Sequence, residues 1–248
     1  SIVPRFDQRG STLHHLVVET DGLVRLVNRG VLGMHVTAGS SLQVRVDVRS
    51  SESMPMSCAL RAGADVIAEG IVPVSPDPGS VIAALVAERT ADVAFELRLH
   101  GPGRVALDFV SCEPDDTWLG RHPGMRKDLA QAVARLRPAF VRFPGGCFVE
   151  GGDRLDDAFA WKDTIGGVAT RPGHRNANWG YWSSDALGFH EYLQWCEDLR
   201  AEPLFVVNCG MSHREVVPLE RMDPWVQDAL DAIEYANGPV DSRFGAER

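Results

Sequence analysis

Leu42, Val44, Val46 and Val48 alternate with Gln43, Arg45, Asp47 and Arg49. A period of two held over this whole run makes a β-strand with one buried face, because successive side chains of a strand point to opposite sides. Similar runs at Leu13–Glu19, Val31–Val36, Met56–Arg61, Val66–Val74, Val81–Ala87, Val93–His100 and Arg104–Val110 are separated by turn residues. Asp21-Gly22, Asn28-Arg29-Gly30, Ala38-Gly39-Ser40 and the two prolines within Ser75–Gly79 are the clearest of these. Many short strands at regular spacing predict an antiparallel β-sandwich, jelly-roll-like, over residues 1–112, with a small barrel as the alternative.

The period changes after residue 112. Met125, Leu129, Val133 and Leu136 recur at helical spacing within Gly124–Leu136, and Pro138 stops that helix. Ala139–Phe143 is an apolar run suited to a buried parallel strand. A Gly- and Trp-rich loop from Pro144 to Asp185 follows, then a helix over Ala186–Leu199 and a second buried strand over Pro203–Asn208. Asp223-Pro224 opens a third helix and Asn237-Gly238 closes it. Helices alternating with apolar strands imply a parallel sheet, and long loops after each strand match a (β/α)8 TIM barrel, here partial and spanning 113–248.

Lys and Arg number 25 and Asp and Glu 34, a net charge of −9. That balance repels phosphate backbones and anionic lipid, so neither nucleic acid nor a membrane surface is an expected partner. Cys58, Cys112, Cys147, Cys196 and Cys209 are odd in number and hold no CxxC spacing. They suggest reduced thiols, hence a cytoplasmic chain, or a secreted one if an upstream signal is missing. No metal ligand set and no cofactor motif is expected.

Three segments carry chemistry. In Arg142-Phe143-Pro144-Gly145-Gly146-Cys147, the chain turns sharply at a strand end, and two glycines let a ligand approach the backbone. The plain alternative is a tight turn with no ligand. Trp161, Trp179, Tyr181 and Trp182 crowd one polar loop. Such rings either stack on sugar C–H faces or anchor the loop, and both uses are expected here. Asn208, in Val206–Gly210, is placed to hydrogen-bond a hydroxyl or to cap a turn. His174, His190 and His213 form no ligand pattern, and Asp156-Asp157 read as solvated charges.

Together these blocks resemble glycoside hydrolase family 51, mainly α-L-arabinofuranosidases. Phe143–Gly151, Trp161–Gly166 with Arg171-Pro172, Trp179–Gly188, Glu191–Asp198 and Ala229–Gly238 look like the family's blocks in the family's order. Asp108–Lys127 resembles the entry into its barrel, and Asn28–Ser50 a carbohydrate-binding-module-like sandwich found in some members. The segment Phe140–Gly167 thus reads as a barrel strand end with a sugar-binding loop.

The resemblance implies retaining hydrolysis by two glutamates about 5 Å apart. Neither family position has a match in residues 1–248, and Glu150 and Glu202 are not substitutes, so no residue of this chain is expected to be catalytic. Gly146, Cys147, Trp161, Trp179 and Asn208 are the implied substrate-binding positions. Cys147 stands where many members carry Asn, and Gly167 where proline is common. The implied partner is an arabinose-containing oligosaccharide or polysaccharide, with a homo-oligomer or a complementing chain covering the open barrel. The alternatives are a non-catalytic carbohydrate-binding protein and another retaining glycosidase such as an endoglucanase.

Overall fold

The structure, a computed structural model, describes residues 2–6, 14–31, 33–50, 54–74 and 79–248. Leu13, Leu32 and the turn at 75–78 lie outside the described residues. Two compact units divide the chain, Ser1–Gly120 and Arg121–Arg248.

The first unit contains β1 (Ile2–Phe6), β2 (His14–Thr20), β3 (Leu23–Asn28), β4 (Met34–Val36), β5 (Ser41–Ser50), β6 (Pro55–Ala62), β7 (Asp65–Pro73), β8 (Gly79–Val86), β9 (Ala91–His100) and β10 (Gly103–Pro114). They form two antiparallel sheets. One runs β1-β2-β10-β5-β8, the other β3-β9-β6-β7 with β4 also paired to β9. The alternation read in β5 appears as burial: Leu42, Val44, Val46 and Val48 are all inside. They meet Met56, Leu60, Ile67, Phe95, Leu97 and Leu99 of the other sheet in a single apolar cluster. On the outer face of β9, Glu96 is enclosed by guanidinium groups, bonded to Arg98 and 3.9 Å from both Arg25 and Arg61. The positive groups compensate a carboxylate that is 5% exposed.

Three features of this unit depart from the sequence reading, beginning with β1, which lies before the first strand expected at Leu13. Strand β3 went unpredicted because Leu23, Val24, Leu26 and Val27 place apolar groups on both faces and hide the period of two. Strand β10 runs past Val110 to Pro114 through a bulge at Asp108, where the partner register shifts by one. An extra residue on one strand changes which face follows, so a strict alternation count ends there.

The second unit contains α1 (Lys127–Arg135), β11 (Phe140–Phe143), α2 (Gly146–Glu150), β12 (His174–Asn176), β13 (Tyr181–Ser183), α3 (Phe189–Leu199), β14 (Glu202–Phe205) and α4 (Asp223–Asn237). Strands β11 and β14 pair in parallel, Phe140 with Glu202 through Phe143 with Phe205. Val206 N–H extends the pairing by donating to the Phe143 carbonyl at 2.7 Å. The strand expected to reach Asn208 therefore stops three residues earlier. Within the expected long loop the chain makes α2 and the β12–β13 hairpin, neither of which has a long enough pattern to read from sequence. The face expected to bury α1 is open: Leu129 and Leu136 are exposed, and Ala130 is the helix's buried residue.

The core of this unit is aromatic. Phe143, Trp161, Phe189, Tyr235 and Phe244 cluster with Cys196 and Ala232. Trp161 is 2% exposed, with ring centroids of Phe189, Tyr235 and Phe244 at 5.1, 5.7 and 5.6 Å. Its indole N–H donates to the Asp228 carbonyl at 3.2 Å. Trp161, expected among the substrate-binding positions, is placed in the core, where burying so large a ring among three others stabilises the fold. Its neighbour Lys162 reaches Asp228 at 3.0 Å and also bonds Asp231, tying the loop to α4.

Arg171 is the second anchor. Its buried guanidinium makes a bidentate pair with Glu191 at 2.8 and 2.9 Å and donates to the carbonyls of Gly166 and Asp185 at 2.8 and 2.7 Å. Glu191 in turn accepts the Gly188 N–H at 2.8 Å, closing the N-terminus of α3.

Trp161→Ala is expected to destabilise the protein by about 3–5 kcal/mol, the usual cost of deleting a buried Trp, as read by denaturant unfolding. Arg171→Met is expected to cost about 3–5 kcal/mol by leaving Glu191 buried and unpaired. Limited proteolysis should then cut between 160 and 188 first. Wild-type stability in either variant would contradict the assigned role.

Candidate functional site

Phe143 ends β11 inside the aromatic core, and Pro144-Gly145 turns the chain into α2. Gly145 has φ 114°, a conformation that favours glycine, and Gly146 opens onto free space, with nothing near where a side chain would sit. Gly146 is exposed and Gly145 partly so, at the C-terminal end of a parallel strand. Gly151 closes α2 with φ 84°, and a side chain there would collide with the Asp157 carbonyl. The glycine lets residues 155–158 cross the end of the helix.

A helix this short makes few bonds of its own: the Cys147 carbonyl accepts the Gly151 N–H at 3.1 Å, and the Val149 carbonyl the Phe159 N–H at 3.2 Å. Two asparagine side chains add to these. Asn178 donates to the carbonyls of Cys147 and Gly151 at 2.7 and 3.1 Å. Asn208 donates to the carbonyls of Val149 and Met211, both at 3.0 Å, and its Oδ1 accepts the Met211 N–H at 2.9 Å. Of the two uses open to Asn208 from sequence, a hydroxyl contact or a cap, the structure shows backbone bonding: both amide atoms are engaged, and the side chain staples the loop after β14 to α2. Asn178 was not singled out from sequence. Its signal was its place in a hairpin turn, where side-chain amides commonly bond backbone.

Cys147 is exposed on α2. Trp179 follows Asn178 directly, is 58% exposed, and has its N–H fixed by Asn176 Oδ1 at 3.1 Å. The structure thus gathers Gly146, Cys147, Trp179 and Asn208 around α2 and places Trp161 apart, in the core. An exposed glycine turn, a thiol and a largely exposed indole suit a neutral, hydroxyl-rich ligand.

The carboxylate and histidine groups nearby are paired. Glu150 lies 3.3 Å from His213 Nε2, and Glu215 accepts the Leu155 N–H at 2.7 Å. His174 Nδ1 lies 2.8 Å from Asp185, and His190 Nδ1 lies 2.9 Å from the Tyr235 hydroxyl. Burial pushes the Tyr235 hydroxyl up to about 12, which keeps it protonated in that contact.

Comparison with known proteins gives consistent matches. Residues 132–248 match the family model for the α-L-arabinofuranosidase 1 domain. α-L-Arabinofuranosidase 1 of Arabidopsis thaliana is 39% identical over 234 residues, covering 92% of this chain and 34% of the relative. The extracellular exo-α-L-arabinofuranosidase of Streptomyces chartreusis is 36% identical over 233 residues, covering 87% of this chain and 28% of the relative. The chain therefore spans about a third of the length of these curated relatives. Among solved structures, an arabinose-bound family 51 α-L-arabinofuranosidase matches with TM-score 0.86 and 25% identity, covering 100% of this chain and 43% of that one. With sequence and fold agreeing along its length, the chain belongs to glycoside hydrolase family 51, the α-L-arabinofuranosidases.

Proposed function

We propose that this chain is part of an α-L-arabinofuranosidase that removes terminal non-reducing α-L-arabinofuranosyl residues from oligo- or polysaccharides with retention of configuration. The observation that carries this reading is the match of the whole chain to the arabinose-bound structure at TM-score 0.86. In this reading, residues 1–112 are the carbohydrate-binding-module-like sandwich. Residues 113–248 are the first part of a (β/α)8 barrel, with β11 and β14 as two of its strands. Phe140, Leu204 and Val207 of the strand segments, and Leu129 and Ile233 of the helices, are each more than 40% exposed. Such apolar surface supports further barrel strands and helices, from the same protein or a complementing chain, covering them.

The α2 tip then forms one side of the arabinose site. Gly145 and Gly146 admit close backbone approach, Cys147 faces the sugar, and Trp179 offers a stacking face. Asn208 acts through α2, holding it at the strand ends. The two glutamates that attack and protonate lie outside residues 1–248. Catalysis needs a carboxylate pair about 5 Å apart flanking the bond, and neither β11 nor β14 ends in one. Five free thiols support a reducing compartment, while the Streptomyces relative is extracellular by name. Detecting the protein in culture supernatant rather than lysate would settle for secretion.

The complete protein is expected to hydrolyse an aryl α-L-arabinofuranoside with retention, followed by NMR of the released anomer. Cleavage of β-glucans with none of arabinofuranosides would replace this reading with an endoglucanase. Residues 1–248 alone are expected to give no turnover. Activity there that disappears on mutating one of its own carboxylates would overturn the placement of the glutamates.

A further inference from the structure

The second unit carries a groove of about 780 Å³ that none of the roles above uses. Phe159, Asp163, His174, Trp182, Trp225 and Asp228 are among the residues that line it. We propose that this groove binds further sugar units of the substrate chain, beyond the terminal arabinofuranosyl residue. The proposal deepens the arabinofuranosidase reading and rests on it.

Three observations converge on a neutral polyhydroxylated ligand. First, two indoles face the groove: Trp182 on β13, 65% exposed, and Trp225 in the first turn of α4. An exposed indole is costly to leave in water and is suited to stacking on a sugar ring.

Second, His174 is held in one orientation. Its Nδ1 meets Asp185 Oδ2 at 2.8 Å, while Asp185 Oδ1 accepts the Ser183 hydroxyl at 2.7 Å. Asp185 is 5% exposed and sits at φ 52°, with its own carbonyl accepting from Arg171. A non-glycine residue in that conformation persists where its surroundings hold it. With Nδ1 engaged by Asp185, Nε2 has no protein partner among the described residues and is left for a hydroxyl.

Third, the lining is rich in acceptors and in negative charge. Asp156, Asp157, Asp163, Asp185 and Asp228 line it beside one guanidinium, Arg175, with Asp156 also paired to Arg154. Asp163 has no side-chain partner among the described residues, and Asp228 shares Lys162 at 3.0 Å. Carboxylates accept from sugar hydroxyls and repel phosphates and acidic sugars.

The groove also adjoins the α2 tip. The His174 ring packs edge-on against Phe148 at 5.3 Å, and Phe148 is the neighbour of Cys147 on α2. The hairpin that presents His174 and Trp182 to the groove carries Asn178 and Trp179 in its turn. One hairpin therefore borders both places, and a glycan whose end sits at the tip continues over it.

The test uses the complete protein with two hexasaccharide probes, α-1,5-linked arabinohexaose and β-1,4-linked xylohexaose. Calorimetric titration in saturating L-arabinose, which occupies the terminal site, is expected to show one of the two binding. Trp182→Ala and, separately, Asp163→Ala should each weaken that binding about tenfold, the scale of one lost stacking or charged contact. Where arabinohexaose is the probe that binds, the ratio of kcat/KM on it to that on an aryl arabinofuranoside should fall in parallel. Trp182 and Asp163 lie at the surface, and unchanged melting of the variants checks that folding is intact. Binding of neither probe, variants that bind like wild type, or capture of an oligolysine peptide instead would overturn the proposal. Loss of the arabinofuranosidase reading shows separately, as wild-type protein inert on the aryl arabinofuranoside.

Discussion

The buried pair of Arg171 and Glu191 organises the second unit. One guanidinium holds the carbonyls of Gly166 and Asp185 together with the Glu191 carboxylate, and that carboxylate closes the first turn of α3. Two distant points of a long loop and the start of a helix are thereby fixed to one planar group. Arg suits this place because its donors are arranged in a rigid fork that matches a carboxylate while its remaining N–H groups reach carbonyls. Between those fixed points the chain passes through the β12–β13 hairpin, so the positions of Trp179, His174 and Trp182 all follow from the same anchor. The strained backbone at Asp185 is tolerable for the same reason: its carbonyl, both carboxylate oxygens and its neighbour Ser183 are all bonded.

The tip at the strand ends is built on a different principle. Helix α2 has five residues, too few for its own hydrogen bonds to hold it. Asn178 from the hairpin and Asn208 from the loop after β14 provide bonds to its carbonyls. The surface around Cys147 is therefore set by two side chains from other parts of the chain, and glycines at 145, 146 and 151 keep it open and allow the crossing beneath it. Aromatic residues divide by the same logic of available neighbours. Trp161 finds three rings and a carbonyl acceptor and is buried, while Trp179 and Trp182 sit on a three-residue-stranded hairpin that has no core of its own.

Much of this was legible in the residues themselves. The two-residue period in β5, the helical spacing before Pro138 and the apolar runs at 139–143 and 203–208 identify a strand-rich first half and an alternating second half. They do so because strand and helix periods are local properties of the chain. The family resemblance rested on blocks whose order survives in the linear sequence. Elements with short or mixed patterns escaped: β3 is apolar on both faces, β10 shifts register at Asp108, and α2 is held by remote asparagines.

The sequence by itself determined a strand-rich first half and a second half alternating helix and strand, the strand-end position of the Pro-Gly-Gly turn, and the kinship with the arabinofuranosidases. Only the tertiary structure decided which of the candidate residues face solvent. Trp161 and Trp179 are the same residue type in the same loop, and one became core while the other became surface. Asn208, open to a hydroxyl contact or a cap, became a staple, while Asn178 and the Asp185–His174 pair emerged unannounced. The reason is physical: propensity and period act over a few residues, whereas burial and hydrogen-bond partnership depend on neighbours up to 67 residues away, as for Trp161 and Asp228, and such neighbours exist only once the chain has folded.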